Sequence, residues 1–284
     1  MSTPTPPAKP DSTPAISAPS WSDPQREQHF KHWLTALQPR FQLDPETLRA
    51  ASADASFRRY LRIEAPGRSL VIMDAPPDKE DCKPFVHVAA LLHAAGIRAP
   101  EILDWDAPHG FMLLSDLGAK TMMQCIDPAA APPLALYQQA VDILIRWQLA
   151  SQPGQLPAYD QALLRREVEL LPQWYIGQHR QFTLNEAQQK TLNDAFDCII
   201  QNNLSWPSVY VHRDFMPRNL MLSDAGMGVL DFQDAVFGPV TYDIASLMRD
   251  AFLSWDEDFC LDVTINHRIG FEALNLAIIS NIFA

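Results

Sequence analysis

The sequence contains little that marks a zinc-ribbon, secreted or membrane protein. Its four cysteines stand at positions 82, 125, 198 and 260, too far apart for a CxxC metal motif or a disulfide framework. Reduced thiols, and with them a cytoplasmic location, are therefore expected. No uncharged run approaches the roughly 20 apolar residues of a membrane helix, and the N-terminus lacks the basic and apolar regions of a signal peptide. We expect no membrane partner.

An excess of positive charge is also absent. The 284 residues carry a formal net charge of −12, which argues against a nucleic-acid or anionic-membrane surface. A local arginine cluster or a metal ion can still hold an anionic ligand. Residues 1–24 are rich in Pro, Ser, Thr and Ala, and they bury too little apolar surface to offset the entropy of ordering. We expect this segment to be a disordered tail.

The rest of the chain has a strand-rich beginning and a helix-rich remainder. Asp23 as N-cap and Pro24 at the first helical position predict a helix. Residues 57–63 and 69–73 flank the turn APGR and predict a β-hairpin, and a helix closed by Gly96 follows. From about residue 118 most segments have the apolar period of a helix. The pattern predicts two lobes joined near Asp116–Gly118.

The stretch VYVHRDFMPRNLM, residues 209–221, sets polar residues in an apolar frame. Asp214 and Asn219 fit the spacing H-R-D-x-x-x-x-N, and Asp231 follows at the end of GVLDF. Phosphoryl transfer needs a carboxylate that orients and deprotonates the attacking hydroxyl, and oxygen ligands for the Mg²⁺ that bridges the phosphates. Each fragment alone is typical of an ordinary turn or strand end. In this order they indicate phosphoryl transfer.

With these motifs the sequence resembles the aminoglycoside-phosphotransferase branch of the protein-kinase-like fold. The resemblance runs from about residue 25 to about 265, and its most specific part is 210–253. Within this branch the chain is most similar to bacterial anomeric sugar kinases. The resemblance implies an α+β, bilobal fold, with a small β-rich nucleotide-binding lobe over 25–115 and a larger helical lobe for catalysis and substrate over 116–284.

Carried over position by position, the resemblance assigns roles around the catalytic loop. It makes Asp214 the catalytic base and Asn219 and Asp231 the magnesium ligands. Asp243, in TYDIA, becomes a structural carboxylate that braces the loop. His212 is expected to be a packed, hydrogen-bonded histidine, with a role as proton shuttle as the alternative.

The nucleotide side departs from the family pattern. SADASFRRYLR has no glycine where a kinase-like glycine-rich loop is expected, and it places Ser56 at the loop tip, followed by Arg58 and Arg59. In a strand those two arginines point to opposite faces, so one of them is expected to reach phosphate. The family's third-strand lysine is also missing, since VIMDAPP has Met73 and Asp74 in its place. An arginine at 58, 59 or 62, or magnesium, must supply the charge.

Contacts to adenine and to the acceptor are expected at the lobe junction and in the helical lobe. Asp116 and Leu117, at the end of LLSDLG, would lie at the hinge, where backbone groups bind adenine. The acceptor is expected to contact Arg218, Asp234 and Arg249. The two arginines are candidates because a guanidinium binds the carboxylate of an acidic sugar in a bidentate manner. For Asp234 a purely structural role stays open.

Two segments fit the family less well. QWYIGQH carries Trp174 and Tyr175, which either stack on a sugar or, as is more common, pack inside the helical lobe. After residue 265 the ending NHRIGFEALNLAIISNIFA is apolar and nearly uncharged, unlike the charged continuation of the family. The two explanations are a chain that is shortened or shifted in reading frame, and an ordinary docked terminal helix.

The resemblance implies an enzyme that uses ATP and Mg²⁺ to phosphorylate the anomeric hydroxyl of N-acetylmuramate or N-acetylglucosamine. The product would be the sugar 1-phosphate, for peptidoglycan recycling. ATP and the amino sugar are the expected partners, without nucleic acid, and the chain is expected to act as a monomer. Two alternatives stay open. One is a kinase of the same fold for an aminoglycoside, choline-like or homoserine-like hydroxyl, and the other is a nucleotide-binding pseudokinase.

Overall fold

The described part of the chain falls into two units. The computed structural model describes residues 20–52, 57–127 and 129–282, so most of the predicted tail and Ser56 lie outside the described residues. One unit is made of the described residues through Cys82 together with Glu101–Asp116. The other is made of Lys83–Pro100 and the residues from Leu117 onward.

The first unit is an antiparallel sheet that packs against one helix. The helix is α1 (Pro24–Phe41), and the strand order is β1-β2-β3-β5-β4. The strands are β1 (Asp44–Ser52), β2 (Arg59–Ala65), β3 (Arg68–Asp74), β4 (Ile102–Asp106) and β5 (Phe111–Ser115). The pairing of β2 with β3 confirms the predicted hairpin. The sequence did not predict β1, whose DPETLRAAS has few of the β-branched and aromatic residues that mark strands.

Helix α1 begins at the predicted cap and buries the predicted face. The Asp23 side chain accepts the backbone N–H of Gln25 at 2.8 Å, which satisfies one of the free donors at the helix start. One stripe of the helix packs into the core of the first unit, against Ile63, Ile72 and Phe111. The side chains of this stripe are Phe30, Trp33, Leu34 and Leu37.

The second unit is mainly helical. Its helices are α2 (Lys83–Ala94), α3 (Met122–Cys125), α4 (Leu134–Leu149), α5 (Gln161–Val168), α6 (Glu186–Leu204), α7 (Tyr242–Met248) and α8 (Glu257–Ile282), with a π-helix at Leu171–His179 and a 3₁₀ turn at Pro217–Asn219. Its strands are β6 (Lys120–Thr121), β7 (Ser208–Val211), β8 (Leu220–Ser223), β9 (Gly226–Val229) and β10 (Val236–Pro239). β6, β8 and β9 form one sheet, and β7 pairs antiparallel with β10. These short strands carry the loops that hold the conspicuous polar residues.

The C-terminal helix α8 docks against α4. His267 is buried, and its Nε2 lies 2.8 Å from Oε1 of Gln148 in α4. Gly270 is so close to α4 that an added Cβ would stand 2.7 Å from Cδ1 of Ile145. Through residue 272 the unusual ending is therefore a docked helix, which is one of the two explanations that its composition allows.

All four cysteines are free thiols, two of them buried and two exposed. Burial raises the pKa of the Cys82 thiol, which lowers its reactivity. Over residues 20–52, 57–127 and 129–282, none of the helices combines the length and the apolar character that crossing a bilayer requires.

Candidate active site

The conspicuous loop leaves a buried strand and is held by a buried carboxylate. Asp243, in the first turn of α7, accepts the backbone N–H of His212 on Oδ2 at 2.7 Å and that of Arg213 on Oδ1 at 3.0 Å. Burial raises the pKa of Asp243 to about 7, and the two N–H groups oppose this rise. Arg213 has a left-handed φ of 77°, a conformation that persists only where the surroundings impose it. The two hydrogen bonds are such a constraint.

Asp214 is half-buried beside other acidic side chains. Burial raises its pKa above the ordinary value, and the charge of Asp231 raises it further. The charge of Arg213 lowers the pKa, while Asp234 and Glu167 add to the rise. A carboxylate with a raised pKa accepts a hydroxyl proton more readily than an ordinary one.

Asn219 and Asp231 meet next to Asp214. The Asn219 side chain is buried, and its Nδ2 donates to the main-chain carbonyl of Asp214 at 2.9 Å. This bond uses a donor of the amide and leaves Oδ1 as an acceptor. The same Nδ2 lies 3.4 Å from Oδ2 of Asp231, which follows β9 and has a left-handed φ of 62°. The fold therefore brings together the three residues that the spacing singled out.

Gln233 belongs to this cluster, although the sequence did not single it out. Its Nε2 donates to Oδ1 of Asp231 at 2.9 Å and lies 3.4 Å from Oδ2 of Asp234. Its Oε1 is buried and has no hydrogen-bond partner among the described residues. The signal in the sequence was a polar residue inside the otherwise apolar and acidic run LDFQDAV.

The side chains of Asp231 and Asn219 fit a magnesium ion. Carboxylate and amide oxygens are the donors that Mg²⁺ prefers, and the surrounding carboxylates leave an excess of negative charge. In the part of the chain that the structure describes, no group of three or more His, Cys, Asp or Glu side chains could hold a metal. Two protein oxygens are nevertheless sufficient, because Mg²⁺ keeps several water or phosphate oxygens.

His212 is a neutral, packed side chain. Burial lowers its pKa to about 4, although the charge of Asp231 opposes the effect. The imidazole packs edge-to-face against the ring of Phe215, with ring centroids 5.7 Å apart. The side chain is therefore packed, and its role stays a prediction.

A second link holds the catalytic loop through Arg213. Its Nη2 lies 2.5 Å from Oε1 of Glu167 at the end of α5, and its Nη1 lies 3.4 Å from the main-chain oxygen of Asp234. Glu167 also accepts the hydroxyl of Tyr159. The sequence gave no signal for Glu167, because it lies 46 residues from Arg213 in a helix with an ordinary polar face.

In the first unit, Asp74 lies between two arginines. It ends β3 with a side chain only 1% exposed, and it accepts Nε of Arg26 at 2.9 Å and Nε of Arg59 at 2.8 Å. Each guanidinium also stacks on an aromatic ring, Arg26 on Phe111 at 4.5 Å and Arg59 on Trp21 at 4.1 Å. Arg26 and Arg59 carry two positive charges and Asp74 carries one negative charge. The cluster therefore has one net positive charge at the position where the family has a lysine.

The other two arginines of this region also have acidic partners. Arg58 Nη2 lies 2.9 Å from Oε2 of Glu80, and both side chains are mostly buried. Arg62 Nε lies 2.6 Å from Oδ2 of Asp116, whose carboxylate also accepts the hydroxyl of Ser69 at 2.6 Å. The Asp116 side chain is therefore engaged within the first unit. Leu117, in the second unit, is buried.

The three predicted acceptor contacts are all exposed on the second unit. Arg218 is exposed and stacks on Phe252 at 5.5 Å, and Asp234 is exposed beside Gln233. Arg249 is exposed, and its Nη2 donates to both carboxylate oxygens of Glu257, at 2.8 and 2.7 Å.

The expectation that QWYIGQH packs inside the helical lobe is wrong for its aromatic residues. Trp174 is 65% exposed and Tyr175 is 52% exposed. The segment forms the π-helix Leu171–His179, none of whose residues is buried. A π-helix turns with a different period from an α-helix, so the apolar residues do not collect on one inward stripe.

Comparisons with known proteins agree with this architecture. Residues 47–274 match the phosphotransferase enzyme family, APH. The chain is similar to solved structures of the aminoglycoside phosphotransferase APH(2'')-Ib with bound ADP (TM-score 0.62, 14% identity, 87% of this chain and 82% of that one) and of choline kinase LicA from Streptococcus pneumoniae (TM-score 0.59, 11% identity, 84% and 80%). These likenesses confirm the predicted α+β, protein-kinase-like fold.

Three curated relatives have the name N-acetylmuramate/N-acetylglucosamine kinase. The protein of Pseudomonas aeruginosa is 47% identical over 243 residues, which cover 83% of this chain and 71% of the relative. That of Pseudomonas putida is 50% identical over 211 residues, 74% of this chain and 62% of the relative. That of Neisseria meningitidis serogroup B is 40% identical over 246 residues, 86% and 72%. The chain therefore belongs to the phosphotransferase enzyme family.

Proposed function

We propose that the chain is a kinase that transfers the γ-phosphoryl group of ATP to the anomeric hydroxyl of N-acetylmuramate or N-acetylglucosamine. The observation that carries this proposal is the convergence of Asp214, Asn219 and Asp231 in a chain 40–50% identical to kinases named for these sugars. The product, a sugar 1-phosphate, serves peptidoglycan recycling. Free thiols and the use of ATP fit the cytoplasm, and the proposed active form is a monomer.

Asp214 is the catalytic base of the proposed reaction. It orients the sugar hydroxyl and takes its proton while the hydroxyl oxygen bonds to the γ-phosphorus. The bond from that phosphorus to the β–γ bridging oxygen breaks, and ADP leaves. Burial and the neighbouring charge of Asp231 raise the pKa of Asp214, which strengthens it as a base. Asp243 supports this role by holding the two backbone N–H groups before the base.

Asn219 and Asp231 hold magnesium in this proposal, through Oδ1 of the amide and the carboxylate. When bound, the ion would neutralise phosphate charge during transfer. Gln233 is a positioning residue for Asp231, because its amide donates to that carboxylate and so limits its rotation.

Arg58 is the arginine that we assign to the phosphates. In protein kinases the phosphate-binding lysine is held by a glutamate, and here Glu80 holds the Arg58 guanidinium in the same manner. Arg59 is bound to the Asp74 carboxylate and acts through the net charge of that cluster. Ser56 at the loop tip is proposed as a further phosphate contact.

The hinge residues Asp116 and Leu117 are proposed to bind adenine through their backbone groups alone. This assignment fits the engagement of the Asp116 carboxylate by Arg62 and Ser69, which leaves that side chain a structural role. For the acceptor, Asp234 and Arg218 are proposed as contacts at the edge of the catalytic loop, where both side chains are exposed.

One alternative draws on a specific feature of the first unit. With an aspartate at the lysine position, a protein that binds Mg-ATP without transferring phosphate is the second candidate. A panel of acceptors separates the candidates: both amino sugars, an aminoglycoside, choline and homoserine, each incubated with the full chain, radiolabelled ATP and Mg²⁺. We expect label in the amino sugars, with phosphorus NMR locating it on C1.

The same assay tests the base. Asp214→Asn is expected to lower kcat by about 10²- to 10⁴-fold, which is the usual contribution of general-base catalysis. Asp224→Asn, in the exposed turn between β8 and β9, is the matched control and is expected to retain kcat within about twofold. Label in choline or the aminoglycoside alone would reassign the substrate. Calorimetric binding of Mg-ATP without transfer to any acceptor would favour the pseudokinase, and near-normal turnover of Asp214→Asn would refute the mechanism.

A further inference from the structure

An open cavity of about 400 Å³ is lined by residues at the start of α7 and the end of α6. Five of its lining residues have polar side chains, namely Asn203, Thr241, Tyr242, Ser246 and Arg249, and Pro239 and Ala245 complete the lining. Sites for small ligands have volumes of roughly 300–1,000 Å³ and a few convergent polar groups. The volume of this cavity is therefore within the range of small-ligand sites.

The cavity is connected to the catalytic loop by two of its lining residues. Burial raises the pKa of Tyr242, and the charge of Asp214 is among the further causes, which places the phenol within electrostatic reach of the base. Ser246 Oγ donates to the main-chain oxygen of Arg213, the residue before Asp214, at 3.5 Å. The cavity therefore adjoins the main chain of the residue that precedes the proposed base.

Arg249 follows Ser246 by three residues and is the C-cap residue of α7. Of the described residues that line the cavity, Arg249 alone carries a charge. Its Nη2 already donates to both carboxylate oxygens of Glu257, and both side chains are exposed. Exposed ion pairs of this kind are weak, so a ligand carboxylate can take the place of Glu257.

A cation at this position would offset the negative charge around the proposed base. Asp231, Asp234 and Glu167 place negative charge around Asp214 and raise its pKa, and Arg213 offsets part of this effect. An acceptor with its own carboxylate would be repelled unless a positive group faced that carboxylate. N-acetylmuramate carries such a carboxylate on its lactyl ether, and N-acetylglucosamine does not.

We propose that this cavity is the acceptor-sugar site and that Arg249 binds the lactyl carboxylate of the acidic sugar, in exchange for Glu257. The proposal rests on the proposed function, since it assigns a specificity-determining residue to the same reaction. It predicts that one side chain sets the preference between the acidic and the neutral sugar, because only the acidic sugar can displace Glu257.

The test compares kcat/KM for the two sugars in three variants. In Arg249→Gln the ratio of N-acetylmuramate to N-acetylglucosamine activity is expected to fall about 10- to 100-fold, as for the loss of charge-assisted hydrogen bonds. In Glu257→Gln, KM for the acidic sugar is expected to fall about two- to fivefold because the competitor is removed. Arg268→Gln, which breaks a similarly exposed pair with Glu272 on α8, is the matched control and should leave the ratio unchanged.

Equal losses for both sugars in Arg249→Gln, or no loss for either, would overturn the proposal. Thermal unfolding of each variant separates such an outcome from misfolding, and Arg249→Lys retains the charge and is expected to recover part of the ratio. Calorimetric titration of the wild-type chain and Arg249→Gln with N-acetylmuramate tests the site without turnover. If the wild type binds this sugar in an Arg249-dependent manner but phosphorylates neither sugar, the proposed function fails and the site stands. If binding does not depend on Arg249, the site fails.

Discussion

Replacement of Asp74 by Asn is predicted to destabilise the first unit strongly. Asn has nearly the shape of Asp and lacks its charge, so the change isolates the electrostatic role of the carboxylate. Asp74 is almost fully buried between Arg26 and Arg59, whose side chains are 17% and 37% exposed. After the replacement both guanidinium groups lose their anionic partner.

The magnitude follows from the burial of each partner. Removing one member of a buried ion pair costs about 3–5 kcal/mol, because the other charge is left without compensation. Arg26 is mostly buried, so its share is about 3 kcal/mol. Arg59 is more than one-third exposed, water solvates it, and its share is that of a surface pair, about 0.5–1 kcal/mol. The remaining oxygen of Asn offsets about 1 kcal/mol by accepting one hydrogen bond. The expected loss is about 3 kcal/mol.

Urea unfolding measures this loss, with Asp104→Asn as the matched control. Asp104 pairs with the exposed Arg40 and accepts the indole N–H of Trp33 at 3.1 Å. Asn keeps an oxygen for that hydrogen bond, so the replacement is expected to cost less than about 1 kcal/mol. In the same assay Arg26→Met should destabilise the protein more than Arg59→Met. A loss below about 1 kcal/mol for Asp74→Asn, or a larger effect at Arg59 than at Arg26, would refute the reasoning.

Three further predictions concern nucleotide binding, acid stability and the metal ligands. Arg58→Met is expected to raise KM for ATP about 10- to 100-fold in steady-state assays, since a charge-assisted contact to phosphate is lost. Burial lowers the pKa of His267 to about 4, so the unfolded chain binds the proton first and stability is lost as the pH falls from about 6.5 to 4. His267→Gln should remove about 3 kcal/mol of this acid-induced loss in denaturation at several pH values. Gln233→Leu should lower kcat about tenfold and raise the Mg²⁺ concentration for half-maximal rate, because Asp231 is no longer held.

Each of these predictions has a matched control. Arg49→Met removes another β-sheet arginine, paired with Glu64, and should leave KM for ATP unchanged; an equal increase in both variants would remove the assignment of Arg58. His32→Gln replaces an exposed histidine and should keep the wild-type pH dependence of stability. If His267→Gln keeps the same pH dependence, the burial of His267 does not cause the loss of stability in acid. An unchanged Mg²⁺ dependence in Gln233→Leu would contradict the positioning role.

The sequence predicted the meeting of Asp214, Asn219 and Asp231 because these residues are close in the chain. Asp214 and Asn219 are five residues apart, and the short strands β8 and β9 return the chain to place Asp231 beside them. Helix caps also depend on residues that are close together in the chain. Gly96 ends α2 with φ of 68°, a conformation that glycine adopts at little cost, and the N–H of Ile97 reaches back to the carbonyl of Leu92.

Contacts between residues that are far apart in the chain could not be predicted from the sequence. Arg26 and Asp74 are 48 residues apart, and nothing in an amphipathic helix marks one of its polar residues as the partner of a buried carboxylate. Glu167 was missed for the same reason. The exposure of Trp174 was mispredicted because the aromatic run reads as core unless the π-helical turn is known.

The position of the family's lysine shows what such distant contacts change. By sequence alone, Asp74 puts a negative charge where phosphate binding needs a positive one. In the fold, two guanidinium groups outweigh that carboxylate, so the local charge is again one positive charge, carried by three side chains. Restoring lysine at this position would not repair the motif, because it would place three cations together and leave Arg26 buried without an anion. A departure from a family motif is therefore interpretable only together with the residues that the fold brings against it.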